Sequence, residues 1–363
     1  MPQTIGGTPP GNSGSAHYTA EIVELIHINR LAEQAYQIDA HFPAILDPQV
    51  FVASLAKNWL PRIVLVKYGA EAVGLVYTCE KVIAGLRSGV IHGDATLGNL
   101  VLANTEKREV VLGTAVDKLL ESRHVRGLRF LVPPGGYEEK IIGHAAASRQ
   151  LYLSPARAVW NHASLSLPSS YEEFLTSVGY RTRRNLRYYR RKAEAAGHRF
   201  VNHLSTADLA EAVDSLRTKC TFKRSPFAVS RFYRLLTAAD RPLACGLRTA
   251  QGAWLSVVAG FYSEVSAMVL LQLNNDIEYE RTSLSLVLRG YLIESLIRAG
   301  CNEMIFWAGL VGALAHYATI VPGTGVNADS PALVWSFVRR AAKYLSPAFP
   351  QKIQEDLAWI APR

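Results

Sequence analysis

The sequence predicts an α/β chain of the α+β type, built as tandem units, each a mixed, mostly antiparallel sheet flanked by helices. Three observations lead there. The chain has 363 residues, enough for about two domains at ~100–200 residues each. An order of helix, antiparallel strands, helix, strand runs twice through it, at an offset of roughly 180 residues. Two segments open alike, TAEIVE at 19–24 and TADLAE at 206–211.

The elements follow in order. Each of those two segments reads as a helix start with a Thr N-cap and acids in the first turn. Ile22, Leu25, Ile26 and Ile28 mark the buried face of the first, and Leu209, Val213 and Leu216 that of the second. Strand pairs come next. PRIVLVKYGAEAVGLVYT (61–78) turns at Gly-Ala, and RPLACGLRTAQGAWLSVVAGF (241–261) has the same layout. Further strand follows at 89–103 and 265–273. Each half then has a long helix and a strand: 106–123 before GLRFLVPP (127–134), and 282–300 before EMIFWAG (303–309). Gly300 reads as a C-cap. The second long helix is apolar nearly all round, which predicts burial.

Composition narrows the class. Hydrophobic residues make up 49% and charged ones 19%, so the chain can bury a core and is not a disordered polymer. Cys79, Cys220, Cys245 and Cys301 lie far apart, with no metal-ligand or disulfide spacing. They read as reduced thiols of a cytoplasmic protein, and no metal is expected. Residues 1–17 are rich in Gly, Pro and Ser and read as a disordered tail, not a secretory signal. The apolar stretch 253–273 contains Glu264 and reads as two buried strands, so no membrane span is expected. The expected units are 18–155 and 204–363, joined by a linker at 156–203.

The net charge of +9 is local. RTRRNLRYYRRK (181–192) carries seven basic side chains and no acid, which leaves +2 elsewhere. Within 156–203, SLPSSYEEFLTSVGY reads as a short capped helix, and Arg181–Ala196 as a basic helix ended by Gly197. Its arginines suit a phosphate-bearing partner; a solvated charged face is the alternative.

The stretch 167–201 resembles the linker of double-unit N-acyltransferases of the GNAT superfamily, through Arg181, Thr182, Arg183, Asn185, Leu186, Arg187 and Gly197. Two branches share that pattern, the CelD-like acetyltransferase-domain proteins and the FemABX peptidyltransferases. The resemblance implies tandem GNAT-like units and transfer of an acyl group from acyl-CoA, or a related thioester, to an amine acceptor. A FemABX-like transferase using aminoacyl-tRNA is the alternative. Another is a non-catalytic binding protein on this fold, because Tyr317 is followed by Ala318 where CelD-like relatives usually carry a Tyr-Lys pair.

The resemblance also suggests roles. GNAT folds hold the coenzyme A pyrophosphate at the helix after the fourth strand, where backbone N–H groups point outward. In the C-terminal unit that places Arg281, Thr282, Ser283 and Ser285 at the phosphate; an N-cap role for Thr282 or Ser283 is the plainer reading. The N-terminal unit has Asn104-Thr105-Glu106 there and is expected to lack the co-substrate. Asp276, ending an apolar strand beside that helix, is the candidate base that takes the amine proton. Tyr317, read as lying on a helix after the final strand, is the candidate acid for the leaving thiolate. Arg181, Arg183, Arg184 and Arg187 are the candidate contacts to a phosphate-bearing acceptor, a small molecule or tRNA.

Two rival motifs are weaker. HGDATLGN (92–99) matches the loop of aminoglycoside-type phosphotransferases, but the next acid, Asp117, falls mid-helix. GTGVNA (323–328) imitates a dinucleotide loop without its downstream acid.

Overall fold

A computed structural model describes residues 17–331, except 43, 84, 97, 155–156, 221–232, 240, 263–264 and 308, together with residue 340. The expected tail thus lies almost wholly outside the described residues, as does most of 332–363.

One sheet of 14 strands runs through both units. The first unit contributes β1 (Tyr18–Val23), β2 (Trp59–Tyr68), β3 (Glu71–Ile83), β4 (Leu86–Asp94), β5 (Val101–Ala103), β6 (Gly127–Val132), β7 (Tyr152–Leu153) and β8 (Arg157–Ser166). The second contributes β9 (Arg199–Val201), β10 (Pro242–Arg248), β11 (Trp254–Tyr262), β12 (Ser266–Asn274), β13 (Glu303–Phe306) and β14 (Thr319–Asp329). The helices are α1 (Ile28–Ile38), α2 (Pro48–Ser54), α3 (Arg108–Glu121), α4 (Tyr137–Ser148), α5 (Tyr171–Ser177), α6 (Tyr180–Ala195), α7 (Thr206–Leu216) and α8 (Leu284–Arg298).

The strand order is β1-β2-β3-β4-β6-β14-β8-β13-β12-β11-β10-β9, with β5 on β3 and β7 on β14. It reads nearly the same from either end. β4 and β6 pair in parallel, as do β12 and β13; the other pairings are antiparallel. The tandem repeat is therefore a pseudo-two-fold, with an exchange at its centre. β8 leaves the first unit to pair with β13, and β14 returns to lie between β6 and β8.

Several sequence readings change. TAEIVE is strand β1, not a helix start: Tyr18, Ala20 and Ile22 pack on the core while Thr19 and Glu21 are exposed. Period-two alternation wins over the capping pattern there. Leu25 and Ile26 are exposed, 41% and 79%. TADLAE does start a helix, but Ser205 caps it in a capping box with Asp208. The span read as linker begins with strand β8, and GTGVNA lies within strand β14. The short and basic helices of that span form as α5, capped by Ser170, and α6, followed by Gly197 at φ 73°.

Four apolar clusters hold the layers. α3 and α4 cover one face of the first unit, through Val111, Leu112, Val116 and Ile142 against Val64, Val76 and Phe130. α5, α6 and α8 cover the second, with Leu288, Leu292 and Leu296 fully buried. α7 lies on β11 and β12. A fourth cluster joins Leu31, Leu65 and Tyr77 of the first unit to Phe261, Met268 and Ile305 of the second.

The exchange carries a buried ion pair. Arg129 of β6 reaches Asp329 of β14 at 2.7 Å and donates to the Leu128 and Ala328 carbonyls. Both side chains are nearly inaccessible, 5% and 2%. Removing one member leaves a charge uncompensated, at a cost of about 3–5 kcal/mol; replacing both by apolar residues is often neutral. Asp329→Ala should therefore lose stability of that order in urea unfolding. Arg129→Met with Asp329→Leu should recover most of it.

Candidate functional site

The two parallel pairs differ at their C-terminal ends. β4 and β6 stay paired to the last residue: Asp94 faces Leu131, and the Ala95 N–H bonds to the Leu131 carbonyl at 2.7 Å. β12 and β13 part early. Their register ends at Val269 and Phe306, followed by a last bond from the Trp307 N–H to the Val269 carbonyl at 2.9 Å. β12 runs on to Asn274 without a partner from β13.

A bulge marks the parting. Ala259 faces Leu271 and Gly260 faces Val269, so Leu270 has no register partner on either side. A bulge bends its strand and sharpens the local twist. Glycine is required opposite it, because a Cβ at Gly260 would collide with the Met268 carbonyl oxygen.

Across this opening lies the start of α8. A 3-10 turn spans Glu280–Thr282, and the α-helix begins only at Leu284. Ser283 is left-handed at φ 51°, a costly conformation for a residue with a Cβ. Neither hydroxyl caps the helix: Ser283 makes no cap bond, and the Thr282 hydroxyl donates to the Tyr279 carbonyl at 2.7 Å. Ser283 thus stands at the N-cap position, as the plainer reading had it, but without a side-chain cap bond. Arg281 is exposed, and Ser285 is half-buried with its carbonyl facing the Gln272 amide. Asp276, half-buried, sits in the turn between β12 and this segment.

Sequence reasoning missed Arg289. From α8 it reaches into the opening. Its Nε donates to the Gln272 Oε1 at 2.8 Å, its Nη1 to the Val311 carbonyl at 2.9 Å, and its guanidinium lies over Phe306. No carboxylate among the described residues pairs with it. Burial pushes it down to about 10, still charged at neutral pH. An arginine in a nearly all-apolar helix was the available signal.

Tyr317 sits elsewhere than expected. It ends a 3-10 turn, Ala315–Tyr317, between β13 and β14, not a helix after the last strand. Its oxygen accepts the Gly179 N–H at 2.8 Å, and its hydroxyl lies 3.4 Å from the Thr182 hydroxyl oxygen. Those bonds go to the start of the basic helix α6 and not to Asp276. The Thr182 and Gly179 hydrogen bonds hold the phenol below its ordinary value.

The basic helix divides in two. Arg187 pairs with Glu172, and Arg190 with Glu194 and Glu294 while stacking over Tyr291. The side chains of Arg181, Arg183 and Arg184 make no ion pair or hydrogen bond among the described residues. Arg187 and Arg190 are thus tied internally, and the charge without an ion pair among the described residues lies at both ends of the helix, on Arg181, Arg183 and Arg184 and on Arg191 and Lys192. No group of three or more His, Cys, Asp or Glu among the described residues could hold a metal ion, and no described helix is long and apolar enough to cross a membrane.

Comparison with known proteins agrees with the GNAT resemblance. Residues 180–317 match the acetyltransferase (GNAT) domain family, a span that holds every residue singled out above for chemistry. No curated protein matches the sequence. Solved structures share the fold. FemX superposes with a TM-score of 0.56 at 7% identity, over 84% of this chain and 96% of its own. The C-terminal domain of a putative lysylphosphatidylglycerol synthetase from Agrobacterium fabrum gives 0.53 at 12%, over 88% and 97%. The L-PGS structure from Bacillus licheniformis gives 0.52 at 11%, over 88% and 96%. Residues 180–317 thus match the GNAT acetyltransferase domain, and the chain shares its fold with these structures.

Thr182→Val keeps shape and removes one of the two bonds that favour the phenolate. The Tyr317 phenol should then titrate at higher pH, read as the phenolate absorbance lost in a Tyr317→Phe subtraction. A folded value below the unfolded one contributes stability only above the ordinary ~10 and loses it as pH falls through the folded value. No effect of this titration on stability is therefore expected at neutral pH.

Proposed function

We propose that the protein is an N-acyltransferase that moves an acyl group from acyl-CoA to an amine acceptor. The carrying observation is the opening between β12 and β13. An extended ligand with amide groups can pair with the free edge of β12, as an added strand would. β4 and β6 offer no such edge. In this reading 204–363 is the active unit, 18–155 has no donor site, and 156–203 supplies the basic helix. Free thiols and a coenzyme A substrate fit a cytoplasmic protein, and no metal is invoked.

The roles follow from position. The pyrophosphate lies at the start of α8, held by Arg281 and the amides and hydroxyls of Ser283 and Ser285, with Thr282, bonded to the Tyr279 carbonyl through both its N–H and its hydroxyl, shaping the turn. Asp276 takes the proton from the attacking amine. The nitrogen bonds to the acyl carbon, the carbon–sulfur bond breaks, and the thiolate takes its proton from Tyr317. Arg289 supplies positive charge where the carbonyl oxygen turns anionic. Arg181, Arg183 and Arg184 hold a phosphate on the acceptor, with Arg187 behind them. Those open arginines equally favour a second reading, a FemABX-like transferase whose donor is aminoacyl-tRNA.

Coenzyme A at 100 times its dissociation constant should stabilise the protein by about 2.7 kcal/mol. Arg281→Ala should weaken that shift. Absence of any melting shift with coenzyme A or its acyl forms, alongside a shift with charged tRNA, would transfer the donor role to tRNA.

With turnover established, Tyr317→Phe should lower kcat toward the low end of the ~10²–10⁴-fold range of acid–base groups, and Asp276→Asn should lower it within that range. Changing Arg181, Arg183 and Arg184 together to Gln should raise the acceptor KM and leave coenzyme A binding intact. Unchanged acceptor dependence would leave these arginines as a solvated face.

A further inference from the structure

The first unit holds a cavity of about 600 Å³, within the range of small-molecule sites. It opens between the C-terminal ends of β4 and β6 on one side and α2 on the other. Five rings line it: Phe51, Trp59, Tyr77, Phe130 and Trp307. Asp94, from the HGD sequence that the proposed chemistry leaves unused, is the carboxylate in its wall.

That carboxylate is held in place. Its Oδ1 accepts the Thr96 N–H at 2.9 Å and the Thr96 hydroxyl at 2.6 Å. Its Oδ2 lies 3.6 Å from the Nε2 of His162, whose ring is fully buried and packs on Trp307 at 4.8 Å. The nearby cation, Arg129, is already committed to Asp329 and two carbonyls. His92, also in the wall, is held neutral: burial pushes its imidazole well down, and Arg129 and Lys81 add to this. Arg157 lines the cavity as well but is exposed. An aromatic chamber with an oriented carboxylate suits a cation on a flat apolar body, since ring faces attract positive charge. The same wall already does so within the protein, where the Lys81 ammonium lies 4.6 Å above Trp59.

The cavity also adjoins the proposed donor opening. Trp307 follows β13 directly, and its N–H makes the last bond before β12 and β13 part. We propose that this cavity is the acceptor pocket and that its occupant is a primary amine carried on an aromatic body, the ammonium at Asp94 and the ring among Trp59, Tyr77 and Trp307. The assignment rests on the acyl-transfer reading; it names the class of amine, puts Asp94 in place of Asp276 at the attacking nitrogen, and needs no phosphate on the acceptor.

Calorimetry on the full chain tests it with three probes: tryptamine, indole-3-propionate and spermidine. Tryptamine should bind without coenzyme A. The acid, which shares the ring but reverses the charge, and spermidine, which lacks the ring, should each bind at least tenfold more weakly. Asp94→Asn should weaken tryptamine at least tenfold and leave coenzyme A binding unchanged. Trp59→Leu provides the same readout where Asp94→Asn does not fold. Failure of tryptamine to bind, equal binding by the acid, or full affinity in the folded variants would overturn the pocket. Coenzyme A titrated separately keeps the two readings apart: tryptamine binding without coenzyme A binding leaves the pocket and removes the donor, and the reverse outcome removes the pocket alone.

Discussion

The backbone ladder β6-β14-β8-β13 is what the rest of the molecule depends on. Each unit completes its sheet with a strand from the other side of the exchange. The register runs Thr324–Asp329 against Gly127–Val132, and Glu303–Phe306 against Ala163–Ser166. A strand pairing across more than a hundred residues costs loop-closure entropy before it returns any hydrogen bond. The Arg129–Asp329 pair sits where this cost is met, bridging β6 and β14 in the interior. An ion pair there adds little net energy but penalises any register that leaves either charge alone. The exchange also fixes the two parallel pairs against each other. Asp94 and Trp307, at the C-terminal ends of β4 and β13, are linked through His162 of β8, because β8 is the neighbour of β13.

Pseudo-symmetry makes the asymmetry informative. The same parallel pair occurs twice, closed in one unit and parted in the other. The local causes are visible. β6 has six residues and matches β4 to its end, while β13 has four and stops short of β12. The bulge at Leu270 then turns the free end of β12 away, with Gly260 leaving room for it. Into the gap the chain places Arg289, a cation whose neighbours are an amide, a carbonyl and a ring. A desolvated charge without a counter-ion is expensive, and folds rarely keep one without a purpose.

Much of this was legible in the sequence. Strand pairs with Gly turns, the long helices and the basic helix all lie within a few residues of where periodicity puts them, because their apolar spacing and punctuation agree. TAEIVE misled because a capping pattern and a β alternation coincide in six residues, and only pairing with β2 decides between them. β14 was hidden: TIVPGTGVNAD has the Pro and Gly of a loop, and its strand character comes from two partners far away in sequence. The cavity was hidden for the same reason. His92, Asp94 and Asn99 stand out as a motif, but Trp59 and Phe130 join them only through strand pairing, and Trp307 and Asn327 only through the exchange.

The placement of charge on α6 carries a further argument. Arg187 and Arg190 are pinned by Glu172, Glu194 and Glu294, so the C-terminal half of the helix is tied to α5 and α8. Arg181, Arg183 and Arg184 stand in the first turns, where the helix dipole is already positive. A helix selected for stability alone would carry acids there. Its N-cap, Gly179, offers no side chain, and the capping acceptor is the Tyr317 oxygen from the other end of the unit. The positive end of the dipole and three arginines without a carboxylate partner among the described residues thus share the start of α6, spread around it, since residues two apart on a helix lie on opposite sides. An anion bound there would relieve the repulsion and complete the cap. The Tyr317 phenol is held low at the same helix start by its hydrogen bonds to Thr182 and Gly179, so its proton depends on how that turn is packed.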